Sequence, residues 1–328
     1  MPTLDDVAQL AGVSASTVSR TFSDGTVSPA TRQRVLEAAE QLGYTSPNRA
    51  ARALADGRTR QLGLVLPDLA NPFARDIAKS ISRIAYASGY LLVLADADDS
   101  PVSERELIAQ VAGAVDGLIL LSPRIPTDEL ANRVDPAKTV LAGRMLPGFS
   151  CVANDEVDGI RQALIHLAAL GHTQIAYVNG PADSASEKLR LLGLEKAGDL
   201  GLDVKLIRSS APSFTGGVGA ADQVIASGAS AVIAFNDVVA IGLLSRFKTR
   251  NVLVPQQISV VGIDDVAVAQ MAEPPLTTIS SHRDRLGVLA AQTLIHLVES
   301  GAPLEPVQLS LTPELIVRAS TDVPPPGK

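Results

Sequence analysis

Residues 4–25 read LDDVAQLAGVSASTVSRTFSDG, and this stretch decides the fold of the N-terminal part of the chain. Apolar residues recur at helical spacing from Leu4 onward, so they give a first helix one apolar face, and Thr3 is placed to cap it. Gly12 then ends this helix, and Ser14 can cap a second one. The stretch therefore predicts two short helices joined by a tight turn.

The second helix carries small and hydroxylated side chains on its outward face, while Val18 faces inward. Such a face can approach a DNA groove closely, and in helix-turn-helix docking the N-terminal residues of the second helix meet base edges. The candidate base-reading residues are Ala15, Ser16 and Arg20. Hydroxyls beside them suit phosphates, which position a protein without reading sequence; these candidates are Thr3, Ser14, Thr17 and Ser19. From spacing alone, a small helical bundle with these hydroxyls in solvent is the alternative.

A third predicted helix, capped by Ser28 and ended by Gly43, leads into the segment TSPNRAARALADGRTRQ at 45–61. This segment is rich in arginine and alanine and is too short to be stable as an isolated helix in water. We therefore expect it to fold on a partner. Its arginines suit phosphates, and Leu54, which has no core to enter, suits a wedge between base pairs of a minor groove. The candidate DNA contacts of this segment are Asn48, Arg49, Arg52 and Leu54.

Composition indicates a soluble, cytoplasmic protein of several domains. The chain has 328 residues, of which 46% are hydrophobic, enough for a small head and two sizeable lobes. Residues 1–60 hold seven arginines against six acidic residues, and the remainder holds 21 basic against 29 acidic residues. The single cysteine, Cys151, excludes an intramolecular disulfide and fits a reducing compartment. No stretch is typical of a signal peptide or a membrane span.

From about residue 61 onward, short apolar runs alternate with amphipathic stretches. This alternation is typical of parallel sheets built from βα units. The number of units exceeds one compact open sheet, so the pattern predicts an α/β core of two lobes, each a doubly wound parallel sheet. Ligands of such sheets bind at the carboxyl ends of the strands, here where the two lobes face each other.

Several predicted strands are followed by polar or aromatic residues that a plain core does not need. Charged planar groups can bind adjacent hydroxyls, and an aromatic face can stack on a sugar ring. The residues are Phe73, Arg124, Arg144, Arg190, Phe214, Asn236 and Asp264. Local roles are the alternatives: Asn236 as a helix cap, Asp264 as an ion-pair partner, and Phe214 as core.

The sequence contains no motif that indicates catalysis, metal binding or cofactor binding. The four histidines, at 166, 172, 282 and 296, lack metal-ligand spacing. The run GGVG at 216–219 lacks the lysine of a phosphate-binding loop and suits a helix entry. We predict no metal, no cofactor and no enzymatic activity.

Taken together, the motifs resemble those of the lactose-repressor (LacI/GalR) family of bacterial transcription regulators. The matching stretches occur in the family order and run nearly end to end: LDDVAQLAGVSASTVSR, PNRAARAL, LGLVLPDLANPF, LGHTQIAYVNGP, FNDVVAIG, SVVGIDD, PPLTTI and LIVRAS. The resemblance implies a DNA-binding head, a hinge helix that inserts Leu54 into the minor groove, and a dimeric periplasmic-binding-protein-like core. It also implies effector contacts at Phe73, Ser184, Arg190, Phe214, Asn236 and Asp264; Arg124 and Arg144 are added from their strand positions.

The resulting domain prediction is a head at 1–46, a hinge helix and linker at 47–60, and an effector-binding core at 61–328. Chain crossings between the lobes are expected near 156–160, 281–285 and 313–317. They give an N-lobe of about 61–158 and 284–314 and a C-lobe of about 159–283 and 315–328. The expected partners are near-palindromic double-stranded operator DNA, a small-molecule effector such as a sugar, and a second copy of the chain. A repressor released by its ligand is the leading interpretation, and a corepressor-dependent regulator with a nucleoside or purine ligand is the alternative.

Overall fold

A computed structural model describes residues 2–22, 26–44, 58–300 and 305–326. The chain divides into two compact units, Met1–Arg60 and Gln61–Lys328. We call the first unit the head and the second the core.

The described residues of the head form three helices: α1 (Leu4–Ala11), α2 (Ala15–Phe22) and α3 (Pro29–Leu42). Thr3 and Asp6 form a reciprocal capping box at α1, in which the Thr3 backbone N–H donates to Asp6 at 2.6 Å. Gly12 adopts the left-handed conformation with φ 63° that ends this helix and turns the chain toward α2. The three helices pack around fully buried valines at positions 7, 18 and 35.

The core contains two lobes, each built on a six-stranded sheet. The first sheet is entirely parallel, in the order β11-β5-β4-β3-β1-β2. Its strands are β1 (Gln61–Leu66), β2 (Leu91–Asp96), β3 (Gly117–Leu121), β4 (Thr139–Ala142), β5 (Ser150–Asn154) and β11 (Gln308–Leu311). Helices α4 (Pro72–Ala87), α5 (Pro101–Ala112), α6 (Thr127–Arg133) and α12 (Arg283–Ser300) belong to this N-lobe.

The second sheet runs in the order β12-β10-β9-β8-β6-β7, and only β12 is antiparallel to its neighbour. Its strands are β6 (Gln174–Val178), β7 (Asp203–Ile207), β8 (Ala231–Ala234), β9 (Ser259–Asp264), β10 (Thr277–Ser280) and β12 (Glu314–Ile316). The C-lobe helices are α7 (Glu156–Ala169), α8 (Ala185–Leu194), α9 (Phe214–Ala226), α10 (Asp237–Thr249) and α11 (Ala267–Met271). Apolar clusters cover both faces of each sheet, as in a doubly wound fold.

The chain passes between the lobes at 155, 281–282 and 312–313, between the last strand of one sheet and the next element of the other lobe. The helix that opens at Glu156 packs on α8 and β12, so it belongs to the C-lobe from its first turn. These crossings lie at or beside the start of the ranges 156–160, 281–285 and 313–317 that the family resemblance implies.

Gly217, near the start of α9, and Gly242, in α10, let these two helices approach closely. A Cβ added to Gly217 would lie 2.1 Å from the backbone oxygen of Val239 in α10, and one added to Gly242 would lie 2.2 Å from the oxygen of Phe214. The run GGVG thus lies in the first turns of α9, where Gly217 serves helix packing, whereas a Cβ added to Gly216 would meet the backbone oxygen of Ala211.

Candidate functional site

A cleft of about 840 Å³, open to solvent, lies between the carboxyl ends of the two sheets within the core. Residues from both lobes line it, as expected for a ligand site of paired doubly wound sheets. The N-lobe supplies Pro67, Asp68, Asn71, Phe73, Asp99, Ser122, Arg124, Gly143 and Asn154. The C-lobe supplies Glu156, Pro181, Ser184, Ser186, Arg190, Pro212, Ser213, Phe235, Asn236 and Asp264.

Arg190, on α8, is the most connected charged residue of the cleft. Its Nε donates to Glu156 at 2.8 Å, and a second guanidinium nitrogen donates to the backbone oxygen of Phe235. The guanidinium carbon also lies 4.7 Å from the centre of the Phe235 ring, a cation–π distance. Burial alone lowers the pKa of Arg190, but Glu156, Tyr177 and Asp264 together raise it above its ordinary value. The group is therefore a fixed cation in a preformed network.

Asp264, at the end of β9, is a buried carboxylate in a strained backbone conformation. Its φ of 113° lies in a region that side chains rarely adopt, and such positions cluster at functional sites. Ser281 Oγ donates to its carboxylate at 3.2 Å, and Arg283 donates to its backbone oxygen. Burial raises the pKa of Asp264 to about 7, and nearby Glu156 adds to the rise while Arg190 opposes it.

Asn236 and Ser184 combine a local role with a place in the cleft wall. The Asn236 side chain caps α10 by accepting from Val239 N–H at 2.9 Å, and Ser184 caps α8. Both residues are buried and line the cleft. Asn236 thus has the capping role as well as the predicted position in the cleft wall, because its Oδ1 serves the cap while its amide nitrogen donates to the backbone oxygen of Pro212 at 3.3 Å.

Arg124 and Phe73 line the N-lobe side. The Arg124 guanidinium donates to the backbone oxygen of Asp99 and lies 3.5 Å from the Asp99 carboxylate. It also lies 3.7 Å from the carboxylate of Asp183, which belongs to the C-lobe. Burial raises the pKa of Asp99, and Arg124 only partly offsets that rise. Arg124 therefore forms an ion pair across the cleft.

Two predicted site residues do not line the cleft. The Arg144 guanidinium turns away, donating to the backbone oxygens of Pro123 and Ile125 and to the Thr127 hydroxyl at 2.7–3.2 Å. Its neighbour Gly143 lines the cleft instead. The Phe214 side chain, at the first residue of α9, is exposed and is not part of the wall. The position after a strand places the backbone of Arg144 near the cleft, but the side chain donates to acceptors in residues 123–127 instead.

Several residues of the cleft wall were not predicted from the sequence. Phe235 stands between β8 and Asn236, so its strand-end position was an available signal. Asn154 ends β5, a strand that the apolar pattern does not single out, and its buried Oδ1 has no hydrogen-bond partner among the described residues. Glu156 has no local signal, because it is selected only by the contact with Arg190.

In the head, the predicted DNA-facing residues at the start of α2 form a hydroxyl cluster. Ser14 Oγ lies 2.8 Å from the hydroxyls of both Ser16 and Thr17. Ser19 and Arg20 are exposed on the same helix, and Ala15 is half-buried. Thr3 is exposed but also engaged in the capping box. The predicted contacts Asn48, Arg49, Arg52 and Leu54 lie outside the described residues.

Within the described parts of the chain, no three His, Cys, Asp or Glu side chains are grouped to hold a metal ion. Across those same residues, no helix is long and apolar enough to span a bilayer.

The head with its exposed second helix and the two-lobed core with its cleft define a DNA-binding regulator with a ligand-sensing domain. Two family models match the chain: "Bacterial regulatory proteins, lacI family" at residues 3–48 and "Periplasmic binding protein-like domain" at residues 164–321. The chain is 33% identical to the HTH-type transcriptional regulator DegA of Bacillus subtilis, over 97% of this chain and 98% of that protein. It is 34% identical to the ribose operon repressor of Escherichia coli K12, over 98% and 100% of the two chains.

Two solved structures are similar to this chain over 98% of its length. A lac repressor dimer bound to operator and the anti-inducer ONPF is similar with a TM-score of 0.86 and 28% identity, covering 98% of this chain and 99% of that one. A complex of the transcriptional regulator CelR with cellobiose is similar with a TM-score of 0.70 and 32% identity, covering 98% and 100%. The chain belongs to the lacI family of bacterial regulatory proteins and is a DNA-binding transcriptional regulator.

Proposed function

We propose that this regulator is a repressor that binds near-palindromic operator DNA as a homodimer and is controlled by a sugar bound in the cleft of the core. The observation that carries the proposal is the cleft itself, where Arg190, Asp264, Asn236 and Phe73 converge from two lobes on one space. Ligand and DNA then change each other's affinity reciprocally, since each prefers one arrangement of the lobes. The protein acts by binding in the cytoplasm and catalyses no reaction.

For the DNA contacts, we propose that Ala15, Ser16 and Arg20 read base edges and that Thr3, Ser14, Thr17 and Ser19 bind phosphates. Support comes from the exposure of Ser16, Ser19 and Arg20 on α2 and of Ser14 directly before it. Two heads of a symmetric dimer would then read half-sites about one helical turn apart. Asn48, Arg49, Arg52 and Leu54 extend the contact into the minor groove between the half-sites.

Gel-shift titration of the full chain on its operator, with and without a sugar found by thermal shift, tests the proposal. Arg190→Ala should bind operator within about 2-fold of wild type, because the head is a separate unit. It should lose the response to sugar, because the ligand group left in the cleft is desolvated and unpaired. Arg161→Ala, an exposed arginine of the same lobe, should keep the response.

A wild-type sugar response in Arg190→Ala would refute the cleft as the sensing site. The direction of the wild-type response separates the two modes: weaker operator binding with sugar indicates induction, and tighter binding indicates corepression.

A further inference from the structure

The wall of the cleft carries more acidic than basic side chains. Four carboxylates line it, those of Asp68, Asp99, Glu156 and Asp264, against the guanidinium groups of Arg124 and Arg190. Asp183 adds a further carboxylate beside Arg124. Even when Asp264 carries a proton, three carboxylates of the wall face two cations.

Both cations are already compensated by the protein. Arg190 pairs with Glu156 at 2.8 Å and lies over Phe235, and its side chain is only 5% exposed. Arg124 contacts the carboxylates of Asp99 and Asp183 at 3.5 and 3.7 Å, and its side chain is 10% exposed. An anionic ligand that approached either guanidinium would therefore also meet the carboxylates that already compensate its charge, in the same buried space.

The remaining polar groups of the wall favour a ligand that donates hydrogen bonds. Asn154 Oδ1 is a buried acceptor without a partner in the described structure. The Asp264 carboxylate accepts from Ser281 at one oxygen, and an ionised carboxylate has further acceptor sites. Ligand hydroxyls satisfy such acceptors, whereas phosphate and carboxylate oxygens are themselves acceptors.

The raised pKa values of two cleft carboxyl groups are consistent with this excess of negative charge. Burial, with a contribution from Glu156, raises the pKa of Asp264 to about 7 although Arg190, Ser281 and Arg283 oppose the rise. Burial also raises the pKa of Asp99, where Asp68 and Asp183 contribute in the same direction. A ligand anion in this space would be repelled by carboxylates whose ionised form is already disfavoured by burial and by one another.

We infer that the cleft binds a polyhydroxyl ligand without an anionic group, a neutral sugar or its amino derivative, and discriminates against phosphorylated and acidic sugars. This inference rests on the proposed function of the cleft. A like charge at about 6 Å in an effective dielectric constant of about 20 weakens binding by about 100-fold. The anionic derivative of the bound sugar should therefore bind at least about 100-fold more weakly than its neutral parent.

Calorimetric titration of the full chain tests the inference with matched sets: an aldose, its 2-amino derivative, its uronic acid and its terminal phosphate, across common pentoses, hexoses and the disaccharide cellobiose. A thermal-shift screen of the same sets finds the sugar that binds. The expected result is binding of neutral and amino members, with the acid and phosphate about 100-fold weaker or undetected. A phosphorylated or acidic member that binds more tightly than its parent overturns the inference.

Charge variants locate the discrimination in the cleft. Asp68→Asn keeps an oxygen that can accept from Ala70 N–H, as Asp68 does at 2.7 Å, but removes one negative charge. The substitution should reduce, by several-fold, the ratio of the phosphate's dissociation constant to that of the neutral parent sugar. Asp203→Asn, at an exposed position of β7, removes the same charge elsewhere and should leave the ratio unchanged. Equal ratios in wild type and Asp68→Asn would contradict the role of the cleft carboxylates.

The two proposals fail differently. An anionic sugar that binds, changes operator affinity and loses binding in Arg190→Ala overturns the charge inference and leaves the sensing function standing. A screen in which no sugar of any charge binds overturns the sugar-controlled function and the inference with it.

Discussion

Asp264→Asn should reduce the loss of stability that accompanies a rise in pH from about 4 to about 7. Burial raises the pKa of Asp264 from 3.8 to about 7 in the folded protein. The folded state therefore holds this proton where the unfolded chain has lost it, so stability falls as pH rises from about 4 to about 7 and then levels off. The full cost of ionising this buried group is about 4 kcal/mol, at 1.36 kcal/mol per pH unit.

Between pH 5 and pH 8, this linkage amounts to about 2 to 3 kcal/mol for Asp264 alone. An asparagine has the same shape and does not titrate, so the variant lacks this loss. Asp237 is also buried, and burial raises its pKa well above the ordinary value, with a further contribution from Asp264 that the variant removes. The informative quantity is the difference between wild type and variant at each pH.

Urea unfolding of the full chain at pH 5, 6, 7 and 8, followed by circular dichroism, measures this difference. Wild type should lose about 2 to 3 kcal/mol relative to Asp264→Asn across the range, with little further change above pH 7. The exposed Asp203→Asn is the matched control and should follow the wild-type profile. Parallel profiles for wild type and Asp264→Asn would refute the argument, because they would mean that Asp264 ionises at its ordinary pH in the folded protein.

Three further predictions concern helix packing and the head. Gly217→Ala should destabilise the C-lobe by about 1–3 kcal/mol, because its Cβ would lie 2.1 Å from the Val239 oxygen, whereas Gly219→Ala on the same helix meets nothing within 4 Å and should stabilise by about 0.5–1 kcal/mol. Urea midpoints compare the two, and equal effects would contradict the close helix contact. Arg20→Ala should cost about 1–3 kcal/mol on operator DNA and much less on random DNA in gel shifts; equal losses would reassign Arg20 to phosphate binding. Leu54→Ala should reduce operator affinity and bending while leaving sugar binding intact, and unchanged affinity would remove the wedge role predicted from sequence.

Much of the fold follows from sequence because each lobe repeats one rule, an apolar strand followed by an amphipathic helix. Eight strands match apolar runs visible in the sequence, from β1 to β4 and from β6 to β9. The other four are short and carry polar residues, as in Ser150–Asn154 and Thr277–Ser280. Their pairing is decided by the sheets they complete, so a local pattern does not reveal them.

The site was less predictable because side-chain direction depends on contacts distant in sequence. Arg124 and Arg144 both follow strands, yet Arg124 points to Asp183 of the other lobe while Arg144 donates to backbone oxygens beneath its loop. The same distinction separates Phe235, which lies under Arg190, from Phe214, which is exposed. Glu156 enters the site only through Arg190, a residue 34 positions away.

Arg283 connects the cleft to the N-lobe through Asp264, whose backbone φ is 113°. Its guanidinium donates to the backbone oxygen of Asp264 and lies 3.3 Å from the Asp76 carboxylate on α4. Arg283 itself opens α12, directly after the second crossing between the lobes. A ligand that binds the Asp264 side chain therefore acts on a residue whose main chain is already held to the N-lobe. Because a ligand shifts an equilibrium only by its difference in affinity between two states, a contact that depends on the relative position of the lobes supplies such a difference.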